Sequence, residues 1–154
     1  MKFLITKELN ENRLLKLVVL FLVFILLLFI SSDIALQQYQ IGLTPKDILV
    51  LLKGDEEAFI EPILFDILLE KIHISIFTSM ITLVLLVIIY MRVNNKYNNL
   101  LIHILFLSAI LTPIMLILTY FYGTVFSILW LISFLLWHLL GIYFSLNIIW
   151  KLFK

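Results

Sequence analysis

The stretch "ITLVLLVIIYMRVNNKYNNLLIHILFL" (residues 81–107) decides the fold, because it places a short polar turn between two uncharged apolar blocks. The blocks are Ile72–Met91 and Leu100–Tyr122, and the turn is Arg92–Asn99. About 20 residues, each rising about 1.5 Å, are enough for a helix to cross the ~30 Å hydrocarbon layer of a bilayer. The stretch therefore predicts two antiparallel transmembrane helices that are joined on one side of the membrane.

Two further apolar blocks lie on either side of this hairpin: Leu14–Ile30, with the single charge of Lys16 near its edge, and the uncharged Val125–Trp150. The whole chain of 154 residues is 64% apolar with a mean hydropathy of +1.17, whereas soluble domains are about 45–50% apolar. Blocks this long predict helices rather than barrel strands. We therefore expect an all-α membrane protein, a single domain over residues 1–154 with four transmembrane helices in an up-down bundle. The spans are expected near residues 14–33, 72–92, 100–121 and 125–150.

The strictly uncharged core of the first apolar block, Leu17–Ile30, also has the length of the core of a secretory signal, about 7–15 residues. The polar leader Met1–Lys16 is long for such a signal, and "SSDIA" (residues 31–35) is a poor cleavage site. An uncleaved anchor helix is therefore the prediction.

The basic residues predict the orientation of the bundle. By the positive-inside rule, the side that is rich in Lys and Arg faces the cytoplasm. Eight of the eleven basic residues lie on one side, at the two termini and in the second connection: Lys2, Lys7, Arg13, Lys16, Arg92, Lys96, Lys151 and Lys154. Both termini are thus expected in the cytoplasm, with the segment 34–71 outside.

The net charge of +1 indicates no nucleic-acid partner. The lack of cysteine excludes disulfides and thiolate-bound clusters.

The outer segment contains "GLTPKDILVLLKGDEEAFIEP" (residues 42–62), which has clear helix signals. Thr44 is a typical N-cap, Pro45 fits the first helical position, and Gly54 is a typical helix stop. A second helix is expected to begin at Glu61-Pro62 and to continue into the second span. We interpret the first helix as an amphipathic cap at the lipid headgroups.

An alternative interpretation is that the outer segment is an acidic docking surface for a membrane or periplasmic protein partner. The outer side, with Asp33 counted on it, has eight acidic residues against three lysines, a balance of −5. The predicted docking residues are Asp55, Glu56, Glu57, Glu61, Asp66 and Glu70.

Three stretches, "GLTPKDI" (42–48), "KGDEEAFIEP" (53–62) and "LLEKIHISIF" (68–77), resemble a group of small, uncharacterised four-helix inner-membrane proteins of proteobacteria. In that group a Gly-x-x-Pro helix start and a Gly-x-Glu-Glu stretch lead into a span that opens with histidine. The resemblance covers about a quarter of the chain and implies a bacterial inner-membrane location, but no activity. The group has His-x-His at the opening of the span and a further histidine at its end, whereas this chain has only His73 there.

Small polar residues within the spans share helix faces and indicate packing surfaces where helices approach closely. In the second span these are Ser75, Thr78, Ser79 and Thr82, and in the fourth Ser127, His138, Gly141 and Ser145. Because no acidic or basic residue is expected inside the spans, a hydrated path is disfavoured.

The histidines are expected at different depths, at about 1.5 Å per residue. His138 lies near the midplane, His103 about 11 Å toward the cytoplasm, and His73 about 13 Å toward the outside. Such offsets disfavour a haem held by two of these histidines, although Gly141 leaves room beside His138 for a porphyrin. His138 remains the one candidate cofactor-binding residue.

The sequence contains no identifiable motif for a nucleophile–base pair, a metal cluster or a phosphate-binding loop. The first functional hypothesis is therefore a non-enzymatic accessory subunit or partner-binding module in the lipid bilayer, without a cofactor, that binds a protein partner or forms a homo-oligomer. The alternative is an electron-transfer membrane protein in which His138 contributes to a haem b or quinone site. A small transporter or channel is the third hypothesis.

Overall fold

The computed structural model describes residues 13–94 and 96–153. Within these ranges the chain forms five helices and no strand beyond one isolated β-bridge. The helices are α1 (Arg13–Gln40), α2 (Pro45–Lys53), α3 (Phe65–Val93), α4 (Asn99–Tyr122) and α5 (Thr124–Phe153). Four of them, all except α2, are long and apolar enough to cross a membrane. The protein is thus an all-α, four-span membrane protein, as the sequence predicts.

The last helix, α5, is the centre of the bundle and packs against each of the other four helices. By contrast, α1 and α3 make few contacts with each other. The buried apolar residues form two clusters along the bundle. One cluster, around Leu86 and Phe144, lies at the end that carries the Arg92 turn. The other, around Leu52 and Trp130, lies at the opposite end, which we call the cap end because α2 covers it.

Most of the small polar residues of the spans pack between helices, as expected, whereas Ser75 and Thr78 are only half-buried. Ser79, Ser108, Thr119 and Ser145 are buried, and each hydroxyl donates to a carbonyl of the preceding turn of its own helix. This internal bonding satisfies the hydroxyls without water, so their small side chains can lie at close helix interfaces.

Helix α2 is built as the sequence predicts. Thr44 has an extended backbone and its Oγ1 accepts from the Asp47 backbone N–H at 3.2 Å. Pro45 is the first helical residue, and Gly54 ends the helix with φ +80°. The apolar face of α2 packs against the bundle, since Ile48 and Leu52 are almost fully buried. The cap is thus a packed part of the fold.

Two predicted helix boundaries are wrong. The third helix begins at Phe65 rather than at Glu61-Pro62, because Ile63 N–H instead donates to the Leu51 carbonyl at 3.0 Å and ties the preceding segment to α2. The first helix does not end near Asp33 but continues to Gln40. An acidic residue therefore lies inside a long apolar helix, contrary to expectation.

Candidate functional site

His138 of α5 is fully buried, and both of its ring nitrogens have protein partners. Nδ1 lies 2.8 Å from the Phe134 carbonyl oxygen, and Nε2 lies 3.0 Å from Oδ2 of Asp33 on α1. The Asp33 side chain keeps 21% of its surface exposed. The pair links the first and last spans across the interior of the bundle.

The hydrogen-bonding capacity of the neighbouring oxygen atoms determines where the hydrogens of the Asp33–His138 pair lie. A carbonyl oxygen only accepts, so Nδ1 must carry a hydrogen and donate it to Phe134. The bond between Nε2 and Oδ2 then contains one shared proton, on His138 as an imidazolium or on Asp33 as a carboxylic acid. In either form the pair has no net charge, and this neutrality is what allows burial in an apolar bundle.

Aromatic rings surround the histidine on its own helix. The ring of Trp137 lies with its centroid 3.6 Å from the imidazole centroid, and that of Phe134 lies at 4.0 Å. Trp130 stacks on Phe134 at 5.1 Å with an angle of 13° between the planes. All three of these residues are buried, so the Asp33–His138 pair lies against a rigid aromatic wall.

A cavity of about 460 Å³ lies beside this wall, between α1 and α3 at the cap end of the bundle. Asp33, Trp130, Phe134 and Trp137 line it, so the exposed part of Asp33 faces a cavity with an aromatic side. The volume is within the usual range for small-molecule sites, about 300–1,000 Å³. The cavity is the space left where α1 packs mainly against α5, and α3 packs against α4 and α5, with few contacts between α1 and α3.

Two polar groups of α1 complete the cavity lining next to Asp33. Gln37 lies one turn further along, and its Oε1 is buried and has no hydrogen-bond partner among the described residues. Gln40 follows at the rim, where its Oε1 accepts from the Lys71 ammonium at 2.6 Å and so ties α1 to α3. Gln37 thus lines the cavity, while its Oε1 is a buried, unsatisfied acceptor that is closed off from the cavity space.

Neither of the other two histidines, His73 and His103, lies beside His138. His73 and His103 are exposed on the outer surfaces of α3 and α4. The space beside Gly141 is filled by Ile30, whose Cδ1 lies 3.0 Å from the position of an added Cβ. With Nε2 engaged by Asp33 as well, the residues around His138 do not fit haem b. No group of three His, Asp or Glu residues within 13–94 and 96–153 is arranged to hold a metal ion.

The predicted docking residues do not form one uniform surface. Glu56, Glu57, Glu61 and Asp66 are exposed, as a docking role requires. Asp55 has a structural task, because its Oδ1 accepts from the backbone N–H groups of Glu57 and Ala58 at 3.0 and 3.2 Å. Glu70 is exposed and also lines the cavity at its rim.

Three of the acidic residues, Asp55, Glu56 and Glu57, are part of a closed turn, Asp55–Ile60, which the sequence pattern did not indicate. Two backbone hydrogen bonds of 2.9 Å join Asp55 and Ile60. Phe59, the last residue before the closing Ile60, has φ +54°, a conformation that L-residues with large side chains rarely adopt. Its side chain is 94% exposed. The turn therefore holds an aromatic ring away from the protein, at a cost in backbone energy.

Comparison with known families supports the membrane assignment. A family described as a transmembrane helical domain matches residues 42–154, from the cap through the last span. The chain belongs to this transmembrane helical domain family. Its matched part contains α2 to α5 and the Asp55–Ile60 turn, whereas α1 with Asp33 precedes it. No curated protein and no solved structure matches the chain.

Proposed function

We propose that this multi-pass membrane protein is a non-enzymatic accessory subunit that docks a protein partner through the Asp55–Ile60 turn. The observation that carries the proposal is Phe59, held 94% exposed at a positive φ in a turn closed by backbone bonds. An exposed phenylalanine at a strained positive φ does not stabilise the folded protein. Backbone strain of this kind and exposed apolar groups are typical of binding sites.

The surroundings of Phe59 indicate the chemistry of the partner. Glu56, Glu57 and Glu61 are exposed near the ring, so a complementary surface would offer an apolar pocket with basic residues around it. Such a surface is more typical of a protein than of a bilayer with anionic lipids, which would repel the carboxylates. A second copy of this chain, binding through a surface of the same kind, is a further candidate partner.

We place the turn outside the cytoplasmic membrane of a bacterium, with both termini in the cytoplasm. The support is the concentration of basic residues at the termini and around Arg92. The resemblance of residues 42–77 to small inner-membrane proteins of proteobacteria supports the same location. A partner would thus be a periplasmic protein or the outer-facing part of another membrane protein.

Affinity purification of the tagged protein in mild detergent, at native expression, tests the proposal. The informative variant is Phe59→Gly, because glycine adopts the positive φ without strain and removes only the ring. We expect it to fold and to lose the partner. Tyr39→Ala is the matched control, since Tyr39 is 91% exposed but lies in a regular helix, and it should retain the partner. Recovery of the wild-type protein only as a free monomer would contradict the proposal.

A further inference from the structure

We propose that the protein binds an anionic phospholipid at its cap end, with the phosphate in a basic pocket between α2 and the α4–α5 turn and an acyl chain in an apolar groove between α4 and α5. None of the described residues that line the pocket or the groove belongs to the Asp55–Ile60 turn. The inference therefore does not depend on the proposed docking function.

The basic pocket is open, has a volume of about 500 Å³, and lies between α2 and the turn residues Tyr122, Gly123 and Thr124. Lys46 and Lys53 both line it, about two helical turns apart on one face of α2. The Lys53 ammonium reaches the α4–α5 turn, since its Nζ lies 3.3 Å from the position of a Cβ added to Gly123. Both lysines are exposed, so a ligand in the pocket can contact them.

The charges around the basic pocket favour an anion. None of the described residues that line it is acidic, and neither of its lysines forms an ion pair within the described chain. Asp47, the neighbour of Lys46 in sequence, holds its carboxyl group beside Gly42 and outside the lining. The third lysine of the cap end, Lys71, donates to Gln40 at the other cavity. The positive charge that the cap end offers to a ligand is therefore concentrated in this pocket.

The α4–α5 turn places the basic pocket at the level of the lipid headgroups. Gly123 is the single residue between two helices that are each long and apolar enough to cross a membrane, so the turn lies where the hydrocarbon layer ends. Tyr122 is 71% exposed there, as is typical of tyrosine at a membrane interface. The start of α5 adds to the attraction, because the first N–H groups of a helix lack partners within the helix and favour a phosphate.

The apolar groove lies below the same turn and has a volume of about 200 Å³. Tyr122 follows the groove residue Met115 by about two helical turns of α4, and Val125 precedes the groove residue Ile132 by the same spacing on α5. The groove is therefore on the side of the two helices that carries Tyr122 and Val125 at the turn. A phospholipid has both an anionic head and an apolar tail, whereas a soluble anion has only the first.

The absence of a carboxylate from the described lining also selects between lipids. Phosphatidylcholine carries a cation next to its phosphate, and the lysines repel this cation. Phosphatidylglycerol carries the phosphate without a cation. Because each basic residue near a membrane surface strengthens the attraction of anionic lipid several-fold, we expect a preference for phosphatidylglycerol of about 3- to 10-fold.

The test measures this preference beside the pocket, with the full-length protein in lipid nanodiscs. Because the chain has no cysteine, Ile128→Cys provides a single site for a bimane label. Ile128 is 45% exposed, lies about one turn into α5, and lines neither the pocket nor the groove. The nanodiscs mix phosphatidylglycerol and phosphatidylcholine with identical chains, and only one of the two lipids is brominated, so quenching of the label reports which lipid lies next to it. Brominated phosphatidylglycerol should quench more strongly than brominated phosphatidylcholine at the same mole fraction.

Three lysine variants test whether the basic pocket causes the preference. Lys53→Gln should lower it several-fold, and Lys46→Gln combined with Lys53→Gln should abolish it. Lys71→Gln is the matched control for Lys53→Gln, since it removes one charge from the same end of the bundle but outside the pocket, and it should retain the preference. Unchanged quenching by pure brominated phosphatidylcholine shows that a variant is folded.

Two tryptophan variants test the position of the acyl chain. Ile132→Trp places a larger side chain in the groove and should lower the preference for phosphatidylglycerol, because the bound lipid loses its contact there. Leu139→Trp is the control, since Leu139 is 62% exposed on the same helix and lies outside the groove. It should leave the preference unchanged.

Three results would overturn the inference. One is equal quenching by the two brominated lipids in the protein with all its lysines, a comparison that does not depend on whether a variant folds. Another is an equal loss of preference in the Lys53→Gln and Lys71→Gln proteins. The third is loss of the preference when inorganic phosphate replaces chloride at the same ionic strength, which would make the pocket a site for a soluble anion.

Discussion

His138 and Asp33 are 105 positions apart in the chain, and their side chains meet at 3.0 Å inside the bundle. Their hydrogen bond connects the first span, which precedes the matched family region, to the last span within it. A polar contact between two spans contributes most where its groups lack other solvation. This holds for the fully buried His138, whereas Asp33 remains partly exposed to the cavity. The pair therefore contributes to holding α1 in the bundle.

Replacement of one partner of the pair should destabilise the protein more than replacement of both. Asp33→Leu leaves Nε2 of the buried His138 without a partner, which should cost about 1–3 kcal/mol. The double variant Asp33→Leu with His138→Leu removes both polar groups and should recover part of that loss. Unfolding by sodium dodecyl sulfate from detergent micelles, followed by tryptophan fluorescence, measures the difference. Strictly additive losses would show that the two side chains do not interact.

The close approach of α1 to α5 at Gly141 should not tolerate a methyl group. An added Cβ would lie 3.0 Å from Cδ1 of Ile30, so the end of this fully buried side chain would have to shift. We expect this overpacking to exceed the roughly 0.5–1 kcal/mol that alanine gains over glycine in a helix, and Gly141→Ala to destabilise the bundle by about 1 kcal/mol. Ile30→Val removes that Cδ1 atom, and in combination with Gly141→Ala it should restore part of the stability. The same unfolding assay applies, and a Gly141→Ala protein as stable as wild type would place α1 further from α5.

The start of the cap helix should depend on its N-cap and not on the nearby charges. Thr44→Ala removes the acceptor for the Asp47 N–H, and loss of such a cap costs about 0.5–2 kcal/mol. Faster hydrogen exchange over residues 45–53 would report the loss. Glu56→Gln with Glu57→Gln is the control and should leave exchange there unchanged, since both side chains are exposed. Unaltered exchange in the Thr44 variant would contradict the account of the cap.

Two substitutions in and beside the Asp55–Ile60 turn should have opposite effects on its stability. Phe59→Gly relieves a positive φ and should stabilise the turn by up to about 1 kcal/mol. Gly54→Ala should destabilise it, because a Cβ would lie 2.7 Å from the Ile60 carbonyl oxygen at a φ of +80°. Limited proteolysis of the turn measures both. Faster cleavage of the Phe59→Gly protein would show that the ring stabilises the turn.

The spans and the cap could be predicted from sequence because their signals are local. An apolar block of sufficient length indicates a membrane helix, and Thr44, Pro45 and Gly54 each act within one or two turns. The candidate site is different, since it depends on which helices are neighbours. Asp33 follows the apolar run and "SS" (residues 31–32), so it looked like the first residue outside the membrane.

The helix continues past Asp33 because the residues that follow, "IALQQYQ" (34–40), are good helix formers without proline or glycine. This helix signal is present in the sequence. The partner of Asp33 could not be found there, because a hydrogen-bonded pair 105 residues apart leaves no spacing pattern in a single sequence. The exposed Phe59 was missed for a similar reason: its positive φ results from the closure of the turn by Asp55 and Ile60.

Site-specific photocrosslinking in intact cells tests the docking claim most directly. Phe59→p-benzoylphenylalanine places the reactive ring at the exposed position 59 of the turn, and Tyr39→p-benzoylphenylalanine places it on a similarly exposed helical position. We expect a discrete protein adduct from position 59 and none of the same size from position 39. Adducts with lipid alone at position 59, or identical adducts from both positions, would contradict it.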